Sequence, residues 1–138
     1  MSSNRETADG TPQTILVVDN MEGFRRMVSV WLAQQGYRVA EAEDGRMAIE
    51  EARRVFPDLI LMDLKMPGVD GIGAAESIRQ DAELMDVPIV AVTGDNTEYC
   101  KSRAREAGFN DYLVKPFEAK ELRNVLDRHL PQTSAVVH

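Results

Sequence analysis

Four short apolar runs in this chain each stop at a polar side chain. Ile15-Leu16-Val17-Val18 ends on Asp19, Leu59-Ile60-Leu61-Met62 on Asp63, Ile89-Val90-Ala91-Val92 on Thr93, and Tyr112-Leu113-Val114 on Lys115. Aliphatic and β-branched runs of this length, almost unbroken by polar residues, read as strands buried on both faces. Such strands form parallel sheets, whose carboxyl ends line one edge, and ligands bind in the crevice beyond that edge. Four residues remote in sequence therefore converge. Two carboxylates, a hydroxyl and an ammonium form a donor set for phosphoryl chemistry with a divalent cation.

Helical patterns separate the strands. Phe24, Met27, Val28, Trp31 and Leu32 make an amphipathic stripe that predicts helix one, stopped at Gly36. A short second strand is expected over 37–41 and helix two over 44–56, ended by Pro57. Strand three covers 59–63. The loop Lys65-Met66-Pro67-Gly68 follows, then helix three from 71 to about 83. Pro88 opens strand four, helix four spans 96–107 before Gly108, and strand five is 111–114. Helix five follows Pro116 and stacks Leu122, Val125, Leu126 and Leu130 on one face until Pro131. Five βα units predict an α/β fold, a doubly wound five-stranded parallel sheet with helices on both faces. Residues 1–12 read as a disordered leader ending in Gly10-Thr11-Pro12, 13–131 as one domain, and 132–138 as a short flexible tail.

Composition removes several function classes. A chain of 138 residues fits one domain with a proper core. Its net charge of −7 argues against nonspecific nucleic-acid binding and against an anionic membrane surface. No apolar run approaches the roughly 20 residues of a membrane span, and residues 1–10 lack the apolar stretch of a signal peptide. Cys100 is the only cysteine, so neither an internal disulfide nor a thiolate metal site can form, and the reducing cytoplasm is the expected location.

Each strand-end residue carries a structural and a chemical reading. Asp63 is either a turn cap or a nucleophile, since a carboxylate can attack a phosphoryl group to form an acyl phosphate. Asp19 is either a cap for helix one or a magnesium ligand; Asn20 is an equally good cap and frees it for the second role. Lys115 is a structural partner of Asp63, a point-charge phosphate binder, or both. Thr93 offers a hydroxyl to a phosphoryl oxygen, and Gly94 lets a backbone N–H approach an anion closely. Tyr112 is an ordinary strand aromatic, or a ring that moves between exposed and buried positions. His129, near the stripe of helix five, reads as packing or surface, and His138 lies in the tail. Cys100 reads as a small half-buried residue, and Lys101, Arg103 and Arg105 as a solvated face on which a partner can bind.

Taken together, these residues bear a family resemblance. Ile15-Leu16-Val17-Val18-Asp19, the run from Asp58 to Gly71, Pro88-Ile89-Val90-Ala91-Val92-Thr93 and Asp111-Tyr112-Leu113-Val114-Lys115-Pro116-Phe117 stand in the order found in receiver domains of two-component response regulators. The chain resembles these over about residues 13–130, and its length is similar to single-domain, chemotaxis-type members. The resemblance implies a flavodoxin-like sheet of order 2-1-3-4-5. It implies that Asp63 is the phosphoacceptor, served by a sensor histidine kinase or phosphotransfer protein. Asp19, Asp63 and the backbone carbonyl of Lys65 would hold Mg2+, and Thr93 and Lys115 would contact the phosphoryl oxygens. Thr93 and Tyr112 would form a switch pair acting on helix four, strand five and helix five, and Lys115-Pro116 would be cis. Such a protein catalyses only its own phosphorylation and dephosphorylation. Its partners would be the kinase and a downstream protein, or a second copy after phosphorylation, with no direct nucleic-acid or membrane contact.

One position departs from the family pattern. Asn20 stands where a second acid is usual, so magnesium binding should be weaker unless Glu22 substitutes. Lys65 and Asp95 each lie two residues after a site residue, and if paired they would shield an acyl phosphate from water. A phosphatase similar to haloacid dehalogenases would need an acid at position 65, and a nucleotide-binding domain a glycine-rich turn in place of Asn20-Met21-Glu22-Gly23. The remaining alternatives are a phosphorylation-independent interaction module, or a receiver excised from a larger regulator or hybrid kinase. No attached output domain is expected, so output would come through a partner, unless the chain is a relay intermediate or an excised domain.

Overall fold

The computed structural model describes residues 10–131. The expected tail and the first nine residues of the expected leader lie outside the described residues. Strands and helices alternate as β1 (Thr14–Val18), α1 (Glu22–Gln34), β2 (Arg38–Ala42), α2 (Gly45–Val55), β3 (Leu59–Met62), α3 (Gly71–Arg79), β4 (Ile89–Thr93), α4 (Glu98–Ala107), β5 (Asp111–Val114) and α5 (Ala119–His129). All pairings are parallel and the sheet order is β2-β1-β3-β4-β5.

The three central strands carry the apolar runs because both of their faces are covered. Along β1 the side chains alternate between two cores. Ile15 and Val17 face Val28 and Leu32 of α1 and Leu122, Val125 and Leu126 of α5. Leu16 and Val18 face Ala48 and Ala52 of α2, Ala74, Ala75 and Ile78 of α3, and Ala104 and Ala107 of α4. The first core is filled by large helix side chains, the second, Ile78 apart, mostly by alanines, which let three helices approach the sheet. Helix α4 is the most lightly seated: its buried residues are two alanines, fewer than any other helix contributes.

Helix boundaries follow local chemistry. Asp44, Asp70 and Thr97 cap α2, α3 and α4 by accepting the N–H groups of Met47, Gly73 and Cys100. Some details differ from the sequence reading. Helix α4 starts at Glu98 and not at 96, because Thr97 caps it. Met27, placed on the buried stripe, is 60% exposed, because Val28 and Leu32 hold the centre of the buried face. Helix α3 ends at Arg79, short of residue 83. The Arg79 guanidinium there donates to the carbonyls of Leu84, Met85 and Gly108 and to Asn110 Oδ1, turning the chain back toward the sheet. Among the described residues no helix is long and apolar enough to cross a membrane.

Candidate functional site

Asp19, Asp63 and Thr93 are the buried polar residues at the carboxyl edge, exposed by 1%, 7% and 2%. Each is fixed by the ladder beneath it. The Asp19 N–H donates to Ala42 (3.1 Å), the Asp63 N–H to Val18 (3.0 Å), and the Lys115 N–H to Thr93 (2.8 Å). Gly71 matters here, since a Cβ at this position would overlap the Asp63 carbonyl oxygen and Leu64 Cα. Only glycine lets α3 begin so close to the end of β3.

The side chain of Lys115 reaches from the end of β5 across the edge to Asp19. Its Nζ lies 2.7 Å from Asp19 Oδ2 and 3.5 Å from Asp63 Oδ2. The two structural and chemical readings of Lys115 therefore share one geometry. The Lys115-Pro116 peptide is cis. Burial raises the Asp63 pKa above the ordinary carboxylate value; Lys115 opposes this, the Asp19 charge adds to it, and the Lys65 N–H bond opposes it further.

Asp63, Lys65, Thr93, Asp95, Thr97 and Lys115 line an open cleft of about 520 Å³ together with Gly94 and Asn96. At its mouth Lys65 Nζ lies 3.1 Å from Asp95 Oδ2, the pairing that the shared spacing of these two residues suggested. Asp95 also accepts the Thr97 hydroxyl (2.7 Å) and N–H (2.9 Å). Those two bonds and Lys65 hold its pKa down at about 2. The carbonyl of Asp95 accepts the Tyr112 hydroxyl at 2.6 Å. Thr93 Oγ1 accepts the Asp95 N–H at 3.5 Å, so the loop after β4 touches both residues of the expected switch pair.

Asn20 and Glu22 are both exposed. The capping role expected of Asn20 is not found: Met21 occupies the N-cap without a side-chain bond, and Asp19 Oδ1 accepts the Met21 N–H at 2.9 Å. Asp19 thus holds the helix start and the Lys115 ammonium with different oxygens. Among the described residues no group of three or more His, Cys, Asp or Glu could hold a metal, which leaves Asp19 and Asp63 as the carboxylates available. His129 and Arg128 pair with Asp111 at 2.8 and 3.0 Å, at the opposite end of β5.

The sequence reading missed two contributors. Arg25 donates to the Asp19 carbonyl and to Glu41 Oε1, both at 2.8 Å, bracing β1 against β2. Phe24, read as a stripe residue, lies beneath the Lys115 ammonium, 4.2 Å from Nζ to ring centroid. Its only sequence signal is its place in the first turn after Asp19.

Comparison with known proteins gives a consistent picture. A family model described as the response regulator receiver domain matches residues 15–127. The transcriptional regulatory protein ResD of Bacillus subtilis is 42% identical over 115 residues, 83% of this chain and 47% of that protein. The chain spans about half or less of the length of the curated relatives it matches, down to 16% for the CAI-1 autoinducer sensor kinase/phosphatase CqsS of Vibrio cholerae, 38% identical over 80% of this chain. Among solved structures, the V. cholerae chemotaxis protein CheY4 superposes with a TM-score of 0.82 at 32% identity, covering 86% of this chain and 98% of that one.

Proposed function

Because this chain belongs to the response regulator receiver domain family, we propose that it is a phosphoacceptor built around Asp63. An Asp63 carboxylate oxygen attacks the phosphorus of a phosphohistidine. The phosphorus–nitrogen bond breaks, its electron pair leaves on the imidazole, and an acyl phosphate remains. One observation carries this reading: the Lys115 ammonium stands between two buried carboxylates at the cleft, 2.7 and 3.5 Å away. Burying such groups is costly, and a phosphoryl anion arriving with a cation accounts for the arrangement.

The residues present fit a magnesium ion. Asp19 and Asp63 supply hard oxygens whose two charges Lys115 alone does not balance, and the open edge admits waters to complete the shell. Asp19, Asp63 and the Lys65 carbonyl would hold it, with Asn20 reaching only if its exposed side chain turns inward. When bound, the ion neutralises charge on the phosphoryl oxygens. A similar receiver domain, that of sensor histidine kinase PA1611 of Pseudomonas aeruginosa, 37% identical, has a magnesium ion coordinated in its active site cleft.

The rest of the mechanism belongs to this chain. Thr93 donates its hydroxyl to a phosphoryl oxygen and Lys115 supplies the compensating charge. Those contacts draw on the loop that carries Asp95, whose carbonyl holds Tyr112. Tyr112 leaves or keeps its place accordingly, and the surface of α4, β5 and α5 shifts between two populations that a partner reads. The donor is a sensor kinase or phosphotransfer protein, and the setting is the cytoplasm.

The test is to incubate the protein with a small phosphodonor, with and without magnesium, and weigh it intact. A magnesium-dependent gain of one phosphoryl group, absent in Asp63→Ala, supports the reading. No gain in the folded protein moves the function to a phosphorylation-independent interaction module, which the exposed Asn20 favours.

A further inference from the structure

The Lys115 ammonium has three N–H donors. Asp19 takes one at 2.7 Å and Asp63 lies within reach at 3.5 Å. The Phe24 ring covers the remaining side, its centroid 4.2 Å from Nζ. That ring is held in turn by Phe117, two residues beyond Lys115, in an edge-to-face contact with centroids 5.9 Å apart and planes at 89°. An aromatic face attracts a cation through its quadrupole, and more strongly where water is excluded. The Lys115 side chain is only 20% exposed.

We propose that Phe24 is a positioning residue for Lys115: its ring face, buttressed by Phe117, sets the ammonium against Asp19 within reach of Asp63. The inference deepens the phosphoacceptor reading and rests on it. Lys115 spans from the last strand to the second strand of the sheet order, with a flexible stem that has many rotamers. Without a surface to rest on, the ammonium would divide its time among the carboxylates and water. With Asn20 exposed and neutral, no further carboxylate from the β1–α1 turn competes for it, and the aromatic face completes its surroundings. The contact leaves Asp63 the more weakly paired of the two carboxylates. Its oxygen is thus free to attack, while the charge needed on the incoming phosphoryl group is already nearby.

The test separates shape from charge. In Phe24→Leu the ring is lost, and the rate of phosphoryl uptake from a small donor should fall by about fivefold. Replacing Phe24 by phenylalanines of increasing ring fluorination keeps the volume and weakens the quadrupole, so uptake should fall in graded steps. A merely structural ring would give no gradient. Independently of activity, the ε-methylene protons of Lys115 should show an upfield ring-current displacement in the metal-free protein, abolished in Phe24→Leu. Absence of that displacement, or uptake unchanged across the fluorinated series, overturns the proposal. A wild-type protein that takes up no phosphoryl group overturns the phosphoacceptor reading and the positioning role with it; the ring-current result then tells that failure apart from a missing Phe24–Lys115 contact.

Discussion

Lys65 and Asp95 flank one side of the cleft as an ion pair, 3.1 Å from Nζ to Oδ2, although they follow different strands, by three residues and by two. Thr97 fixes the Asp95 carboxylate from behind, giving the more exposed Lys65 ammonium a fixed partner at the cleft.

A phosphoryl group on Asp63 should therefore be sheltered from attacking water. In the double variant Lys65→Ala, Asp95→Ala, the acyl phosphate should decay several-fold faster. Following loss of the phosphoryl group by intact mass after donor removal measures it, and equal decay rates would remove the shielding role. The pair should also survive acid. The Asp95 pKa is depressed to about 2, so its contribution is present above the unfolded-state value and is lost only as pH falls through about 2.

Asp63 behaves in the opposite sense. Its folded pKa is raised, chiefly by burial, so between the unfolded and folded values the native state binds more protons than the unfolded one. Stability conferred by Asp63 is then lost as pH rises through that window. Asp63→Asn should melt a few degrees higher than the wild type at neutral pH and show a flatter pH dependence in the weakly acid range. Melting curves from pH 4 to 8 check this, and a variant that melts lower at pH 7 would contradict it.

Restoring an acid at position 20 should strengthen metal binding. Asn20→Asp adds a third carboxylate at the β1–α1 turn, and its magnesium dissociation constant should drop by about tenfold, one charged contact being worth roughly 1–3 kcal/mol. Titration of Trp31 fluorescence or calorimetry would read it. An unchanged affinity would mean that the side chain at 20 stays outside the site.

Arg79 makes a structural prediction remote from the cleft. Its guanidinium is half-buried and satisfies Gly108, Leu84, Met85 and Asn110 while burial pulls its pKa down. Arg79→Met should cost about 2–3 kcal/mol, because the half-buried Gly108 carbonyl loses both N–H groups it accepts from Arg79. Gly108→Ala should be comparably harmful: φ is +105°, and a Cβ would press on the Arg79 stem. Denaturant midpoints compare the two.

The fold was legible because burial on both faces leaves a plain mark: β3 and β4 are apolar at every position before their polar end. The same mark located Asp19, Asp63, Thr93 and Lys115. The Lys65–Asp95 pair was legible from their equal offsets after Asp63 and Thr93, the polar ends of neighbouring apolar runs. Met27 was misplaced because an apolar residue at helical spacing does not say how wide the buried face is. The Asn20 cap was misjudged because the helix starts one residue later, with Met21 at the N-cap, and it is Asp19 that accepts the Met21 N–H. Phe24 under Lys115 could not be seen at all. That contact depends on how far an ammonium from one strand reaches across a twisted sheet, and no local pattern encodes that distance.

The light seating of α4 has a consequence for exchange with solvent. A helix whose fully buried residues are two alanines has little apolar burial of its own to lose, so it can open at a fraction of the global unfolding free energy. Its amide protons should be among the first helical ones replaced by deuterium, while those of β3 and β4 wait for the whole domain to unfold. The helix that Thr97 caps beside the cleft, with Tyr99 exposed in its first turn, is thus the helix with least burial to lose by moving.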